Sequence, residues 1–201
     1  MPEIALFPSA SHVLPEGKLE ITIAEQRYQR MLKESVEGQR DFAMCMRSEE
    51  EDNEDESITR IPAIATKVNV VDFNALENGL LSILVEGKTK IRILSVKHES
   101  DHLLIAEYLP FKAWPPVPVS GKHECLIEKL KLFFATMPEI GALYQNSEYD
   151  NLSWVCQRWI ECLPLEVHYK QLLIAQDSPA LTARFLLKLF DNPQLFDDDI
   201  N

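Results

Sequence analysis

At 201 residues the chain is long enough to bury a core, as one large domain or two small subdomains. Hydrophobic residues make up 46% and charged residues 26%, as in soluble globular proteins, and no apolar run approaches the length of a membrane span. Most of the net charge of −12 lies in Glu49 to Glu56 and in Asp197, Asp198 and Asp199, which leaves a nearly neutral remainder without the basic face that nucleic acids require. Met1-Pro2-Glu3 does not open a secretory signal, so a cytoplasmic location is expected. Cys45, Cys125, Cys156 and Cys162 form no Cys-x-x-Cys pair and are expected as reduced thiols.

The chain opens with a short apolar strand ending in Leu6-Phe7-Pro8, then a loop containing Leu14-Pro15-Glu16-Gly17. In Lys18 to Ile23, Leu19, Ile21 and Ile23 alternate with polar residues, which predicts a strand with one buried face. Ala24, Tyr28, Met31, Leu32 and Val36 then form a helical stripe, with Gly38 as its stop signal. Asp41 to Arg47 returns to alternation. The acidic run Glu49 to Glu56 repels itself and is expected as a solvated loop without the order of a calcium site. Ile61 to Phe73, Leu80 to Val85 and Thr89 to Leu94 read as a three-strand meander, with turns at Asn74 to Gly79 and at Glu86-Gly87-Lys88. Leu103 to Tyr108 adds a further strand.

Trp114-Pro115-Pro116-Val117-Pro118 is incompatible with ordinary helix, and the subdomain boundary is placed there. Beyond it the period becomes helical. One helix carries Leu126, Leu130, Phe133 and Phe134 and ends at Met137-Pro138. A second carries Leu152, Val155, Cys156, Trp159 and Leu163, with Asp150 or Asn151 as cap, and a third runs from Glu166 to Gln176. Ser178-Pro179 starts a fourth, whose Leu181, Phe185, Leu186 and Leu189 are expected to face inward. The predicted division is therefore 1–112 as a β subdomain, 113–121 as a Pro-rich linker, 122–191 as a helical bundle, and 192–201 as a fraying acidic tail.

Three blocks occur in the order found in the amino-terminal, substrate-binding domain of Lon-type ATP-dependent proteases. They are Leu6-Phe7-Pro8 through Arg27-Tyr28, the segment Leu80 to Gly87 with Ile91-Arg92-Ile93, and Leu163-Pro164-Leu165 with Lys170-Gln171-Leu172-Leu173 and Arg184-Phe185-Leu186. The chain resembles stand-alone members of that family along nearly its whole length. It departs from the family pattern at Ile61-Pro62-Ala63 and Ala24-Glu25-Gln26. The resemblance implies an α+β fold: an N-terminal PUA-like β pseudo-barrel with one helix, followed by a C-terminal α-helical bundle. It also implies a noncatalytic domain that binds proteins or unfolded segments, since the chain ends before a Lon motor or Ser/Lys peptidase could begin.

The residues themselves offer no catalytic site, cofactor site or metal site. Gly87-Lys88-Thr89 lacks both the upstream glycine and the following helix of a phosphate loop, because Ser82 stands where that glycine belongs. No Gly-x-Ser-x-Gly elbow is present, and His123-Glu124-Cys125 is not a zinc-binding pair. His98 and His102 flank an acidic turn and read as structural or solvent-facing. Candidate peptide contacts are the loop Ser9 to Gly17, with Leu14, and Tyr28, Tyr108 and Trp114, which the sequence alone does not separate from core. Trp114 reads first as a residue packed on the barrel. The competing expectations are a PUA-like RNA binder using the stripe Lys88, Lys90 and Arg92, a regulatory scaffold, and a cryptic peptidase.

Overall fold

The computed structural model describes residues 1–47, 61–76 and 80–191. The acidic run at 49–56, the Asn78-Gly79 turn and the tail from 192 lie outside the described residues. The chain forms two compact units. One holds Met1–Ala113 together with Pro164–Ile174, and the other holds Trp114–Leu163 with the residues from Ala175 onward. This differs from the linear division in two respects: residues 164–174 join the β unit, and residues 114–121 fall within the helical unit.

The β unit contains β1 (Glu3–Ser9), β2 (Lys18–Ile23), α1 (Gln26–Val36), β3 (Phe42–Met46), β4 (Ile64–Ala75), β5 (Leu81–His98) and β6 (Leu104–Pro110). The sheet order is β2-β5-β4-β3-β1-β6, and a second β5–β6 pairing closes the last five strands into a barrel. Strands β1 and β3 are parallel, from Ala5 opposite Phe42 to Ser9 opposite Met46. All five residues of β3 are buried, so its expected wet face does not exist. Phe42 and Met44 join Ala5, Phe7, Ile83, Met31 and Leu32 in one apolar cluster. Ala43 and Cys45 join Ile4, Leu6, Ala65 and Ile91 in another. A strand covered on both faces reads as a continuous apolar run.

The expected meander is corrected: Glu86-Gly87-Lys88 is not a turn but the middle of one 18-residue strand, β5. Its first half pairs with β2, Lys18 lying opposite Glu86, and its second half with β6, from Ile91 onward. At the changeover the Gly87 amide donates to the Gly17 carbonyl (2.8 Å), and the Glu16 amide donates to the Gly87 carbonyl (2.8 Å). Glycine is required there for close approach, not for a turn. The loop 14–17 lies directly on the strand.

Helix α1 ends where Gly38 adopts φ 70°, with the Gly38 amide donating to Ser35 and the Gln39 amide to Glu34. Met31 and Leu32 are buried, but Val36 faces solvent instead of joining the stripe. The opposite side of α1 is held by charge. Arg30 donates to both Asp101 oxygens (2.8 and 2.9 Å), to Glu99 (2.6 Å) and to Glu34 (2.6 Å). Arg40 reaches Glu99 as well (2.8 Å). Burial alone would raise the Glu99 pKa, but hydrogen bonds from Arg30 and Arg40 outweigh it and hold the carboxyl below its ordinary value. The Arg30 hydrogen bonds lower Asp101 likewise. Both groups therefore add stability that is complete above the ordinary carboxylate range and is lost as pH falls through their lowered folded values. Replacing Arg30 with methionine should flatten the loss of stability on acidification below about pH 4.5. Urea midpoints measured from pH 7 to 3 would show this, and equal slopes in variant and parent would contradict it.

Helix α5 (Val167–Ile174) belongs to the β unit, where the side chains of Gln171 and Lys90 make contacts between it and the strands. The Gln171 amide pairs both backbone groups of Ile64: its oxygen accepts from the Ile64 N–H (3.0 Å), and its nitrogen donates to the Ile64 carbonyl (2.9 Å). The side chain thereby takes the place of a strand neighbour at the start of β4. Lys90 is buried, and its ammonium donates to the Ile174 carbonyl at the C-terminal end of α5 (2.6 Å).

The helical unit contains α2 (Glu124–Thr136), α3 (Pro138–Gly141), α4 (Leu152–Cys162) and α6 (Ala180–Asp191). Asn151 caps α4, its side chain accepting from the Ser153 amide (3.1 Å). Every residue from Leu152 to Ile160 is buried, so α4 is the centre of this unit. Trp159 donates to the Leu126 carbonyl of α2 (3.0 Å). Arg158, fully buried, is ion-paired with Glu161, one guanidinium nitrogen donating to it (2.9 Å) and Nε lying 2.7 Å from its other oxygen, with the rings of Tyr144 and Trp154 about its guanidinium. The thiols of Cys45 and Cys156 are pushed up to about 12 by burial, which makes both inert as nucleophiles.

Candidate functional site

The surface best suited to recognition is the outer half of β4, and it follows from strand lengths. Strand β3 is only five residues long and pairs with β4 at Thr66, Lys67 and Val68. From Asn69 to Ala75, β4 is bonded to β5 on one side, and no strand pairs its other side among the described residues. The Leu76 amide donates to Leu80 (2.8 Å). Alternation along an antiparallel ladder then turns Asn74 and Asp72 toward β5, and turns the backbone groups of Phe73 and Ala75 outward. Consistent with this, the Phe73 amide is met by the Asp72 carboxylate (2.8 Å) and not by a strand. A short acidic side chain over an open edge discourages indiscriminate pairing.

The side chains at this edge are apolar. Ile21, Ile83 and Phe73 lie in one cross-strand row, as do Leu19, Val85 and Val70. Residues directly opposite share a face. Ile21 and Ile83 are core, whereas Phe73 is 64% exposed, and Val71 and Leu76 beside it are also exposed. The buried face of the sheet therefore continues into solvent at its open edge. The opposite face of the same strands is polar, with the Ser82 hydroxyl donating to Glu20 (2.5 Å).

The residues expected as peptide contacts are not assembled into one surface. Leu14 is 1% exposed, because the loop that carries it is pinned on Gly87. Trp114 is 6% exposed and its indole donates to the Gln176 carbonyl (2.7 Å), both within the helical unit. Packing, not ligand contact, accounts for both. Tyr28 is half-buried against Phe7, edge to face at 4.7 Å, and burial raises its pKa. Tyr108 is half-buried against the other cluster of the barrel. The sequence offered Phe73 only as the last apolar residue of a strand. Its exposure depends on where β3 begins, which is a property of a different segment.

The basic stripe is also dispersed. Lys88 pairs with Glu86, Lys90 is held by Ile174, and Arg92 lies over the Phe111 ring at 5.0 Å. Among the described residues there is no cluster of three metal-ligating side chains, and no helix is long and apolar enough to cross a membrane. His98 and His102 face each other edge-on, ring centres 6.1 Å apart.

A family model for the ATP-dependent protease La (LON) substrate-binding domain matches residues 3–191. The chain belongs to this family. As a Lon substrate-binding domain it also has related folds among solved structures. The Lon N-terminal domain protein from Xanthomonas campestris superposes with a TM-score of 0.72 at 20% identity, covering 94% of this chain and 98% of that one. The N-terminal domain of the Mycobacterium avium complex Lon protease superposes with a TM-score of 0.60 at 14% identity, covering 95% and 99%. No curated protein sequence matches the chain. At these identities the likeness carries the fold, while surface residues such as Phe73 must be judged on their own chemistry.

Proposed function

We propose that this Lon substrate-binding domain is a noncatalytic recognition module that captures extended or unfolded polypeptide segments along the open edge of β4. The observation that carries this reading is the coincidence of outward backbone groups at Phe73 and Ala75 with an exposed apolar row on the same strand. An added strand would satisfy the edge, and its alternate side chains would lie against Phe73 and Val70. Folded proteins cover or blunt most of their strand edges, so an unfolded form offers far more free backbone to this site. The bonds made are backbone bonds, which suits a site that must accept many sequences.

The test is retention of one protein in native and in reduced, unfolded form on immobilised domain, beside a Phe73→Asp variant. The unfolded form should be retained selectively, and the variant should lose at least about ten-fold in affinity, near 1.4 kcal/mol. Phe73 is exposed, so the substitution leaves the core intact. Equal retention of both forms, or an unaffected variant, would count against the proposal. Salt-sensitive retention of RNA in place of polypeptide would favour the PUA-like alternative.

A further inference from the structure

The helical unit contains a cavity of about 310 Å³ that the β4 reading does not use. Its walls are apolar, from Val117, Leu152, Pro179 and Leu187. The space exists because α6 presents Ala180 and Ala183 on the face that runs through Arg184 and Leu187, where larger side chains would fill it. Among the described residues, the titratable side chains lining it are Lys122, His123 and Arg184, and none is acidic. In a chain of net charge −12 that is a marked local reversal. Lys122 and Arg184 are exposed, and neither forms an ion pair among the described residues.

His123 is the built element of this cavity. It is only 8% exposed, in the short helical turn before α2, and its Nδ1 accepts from the Ser120 amide (3.4 Å). An amide can only donate, so the ring proton lies on Nε2, which remains as a donor. Burial, with the neighbouring Lys122 ammonium, holds the imidazole below its ordinary pKa and hence neutral at pH 7. Helix α6 starts at Ala180 in the cavity wall, and its amide end adds positive potential. An apolar chamber with a buried neutral donor and two cations at its rim, neither ion-paired among the described residues, matches one ligand chemistry: an aliphatic group ending in a carboxylate.

We propose that this cavity binds an apolar carboxylate, the chemistry shared by a polypeptide C-terminus ending in an aliphatic residue and by a free aliphatic acid. The volume stands at the lower end of small-molecule sites, roughly 300–1,000 Å³, so the apolar part is one side chain or a short alkyl chain. The carboxylate is placed toward Lys122 and Arg184, and the alkyl group among Val117, Leu152 and Leu187. The residues involved are separate from those of the β4 edge, so the two proposals stand or fall independently.

The experiment is a methyl NMR titration of the full chain with three probes. They are an acetylated tripeptide ending in leucine with a free carboxylate, the same peptide as its C-terminal amide, and octanoate. The methyls of Val117, Leu152 and Leu187 should shift saturably with at least one of the two acids, and the amide should bind at least about ten-fold more weakly. Binding by the peptide acid alone assigns the ligand to polypeptide ends, and binding by octanoate alone assigns it to free acids. Lys122→Glu and Arg184→Glu should each weaken the acid to a similar degree, and Ala180→Phe should block the mouth. All three positions are exposed, so folded variants are expected. Silence of the three methyls with both acids, equal binding of the amide, or indifference to both charge reversals would overturn the proposal.

Discussion

Replacing Gly87 with alanine should destabilise the β unit by about 3 kcal/mol, the largest effect expected of any single methyl group in the chain. A Cβ at residue 87 would fall within the radius of the Leu14 carbonyl oxygen, with the Leu14 carbonyl carbon 2.7 Å away and the Pro15 nitrogen 3.3 Å away. These are backbone atoms, so no side chain can swing aside. The loop would have to lift from β5, and the Glu16–Gly87 and Gly87–Gly17 hydrogen bonds would be lost with it. Leu14, a core residue on that loop, would be pulled out as well. Gly121→Ala is the control, because its nearest neighbour would be the Glu124 carboxylate at 3.8 Å, and a change within about 0.5 kcal/mol is expected. Urea unfolding followed by far-UV circular dichroism would compare the two. An unchanged Gly87→Ala midpoint would show that the loop is not docked as described.

The second large effect belongs to Arg158. Truncation to alanine would leave the Glu161 carboxylate, itself 9% exposed, without its arginine partner in a site walled by Tyr144 and Trp154. A loss of about 3–5 kcal/mol is expected for an uncompensated buried charge. The pair as a whole is a different matter, since desolvation offsets much of its attraction. A double variant, Arg158→Met with Glu161→Gln, should therefore recover a substantial part of the loss. Tryptophan fluorescence is a clean probe here because Trp114, Trp154 and Trp159 all belong to the helical unit. A double variant no more stable than Arg158→Ala would show that the arginine acts through packing and not through charge.

Local signals made much of this fold legible. The alternation of Lys18 to Ile23 gave β2 to the residue, and the Asn151 cap, the Ser178-Pro179 start and the Gly38 stop mark helix ends that the structure reproduces. What escaped depends on distant partners. Glu86-Gly87-Lys88 carries the composition of a turn, yet Gly87 is there to admit the Leu14 carbonyl from a loop some seventy residues earlier. Lys90 looks like one of three solvated cations, yet its partner is a carbonyl 84 residues away. Residues 164–174 have helical periodicity like their neighbours, and only their contacts, Gln171 with Ile64 and Lys90 with the Ile174 carbonyl, show that they serve the barrel.

The candidate site was less legible than the fold for a related reason. Leu14 and Trp114 are the sort of apolar residues that recognition surfaces use, but composition does not say which apolar residues are covered. Phe73 is conspicuous only once β3 is seen to begin at Phe42, opposite Val68, leaving the far half of β4 with a single strand neighbour among the described residues. An open edge is a property of two strand lengths compared, and neither strand's own sequence states it.

The most direct test of polypeptide capture at β4 is amide hydrogen exchange across residues 69–76, with and without saturating unfolded polypeptide. Strand addition predicts that the outward amides of this segment, those of Phe73 and Ala75 first, become protected, while the native form of the same polypeptide leaves them unchanged. Binding that leaves the exchange of residues 69–76 unaltered would contradict the account.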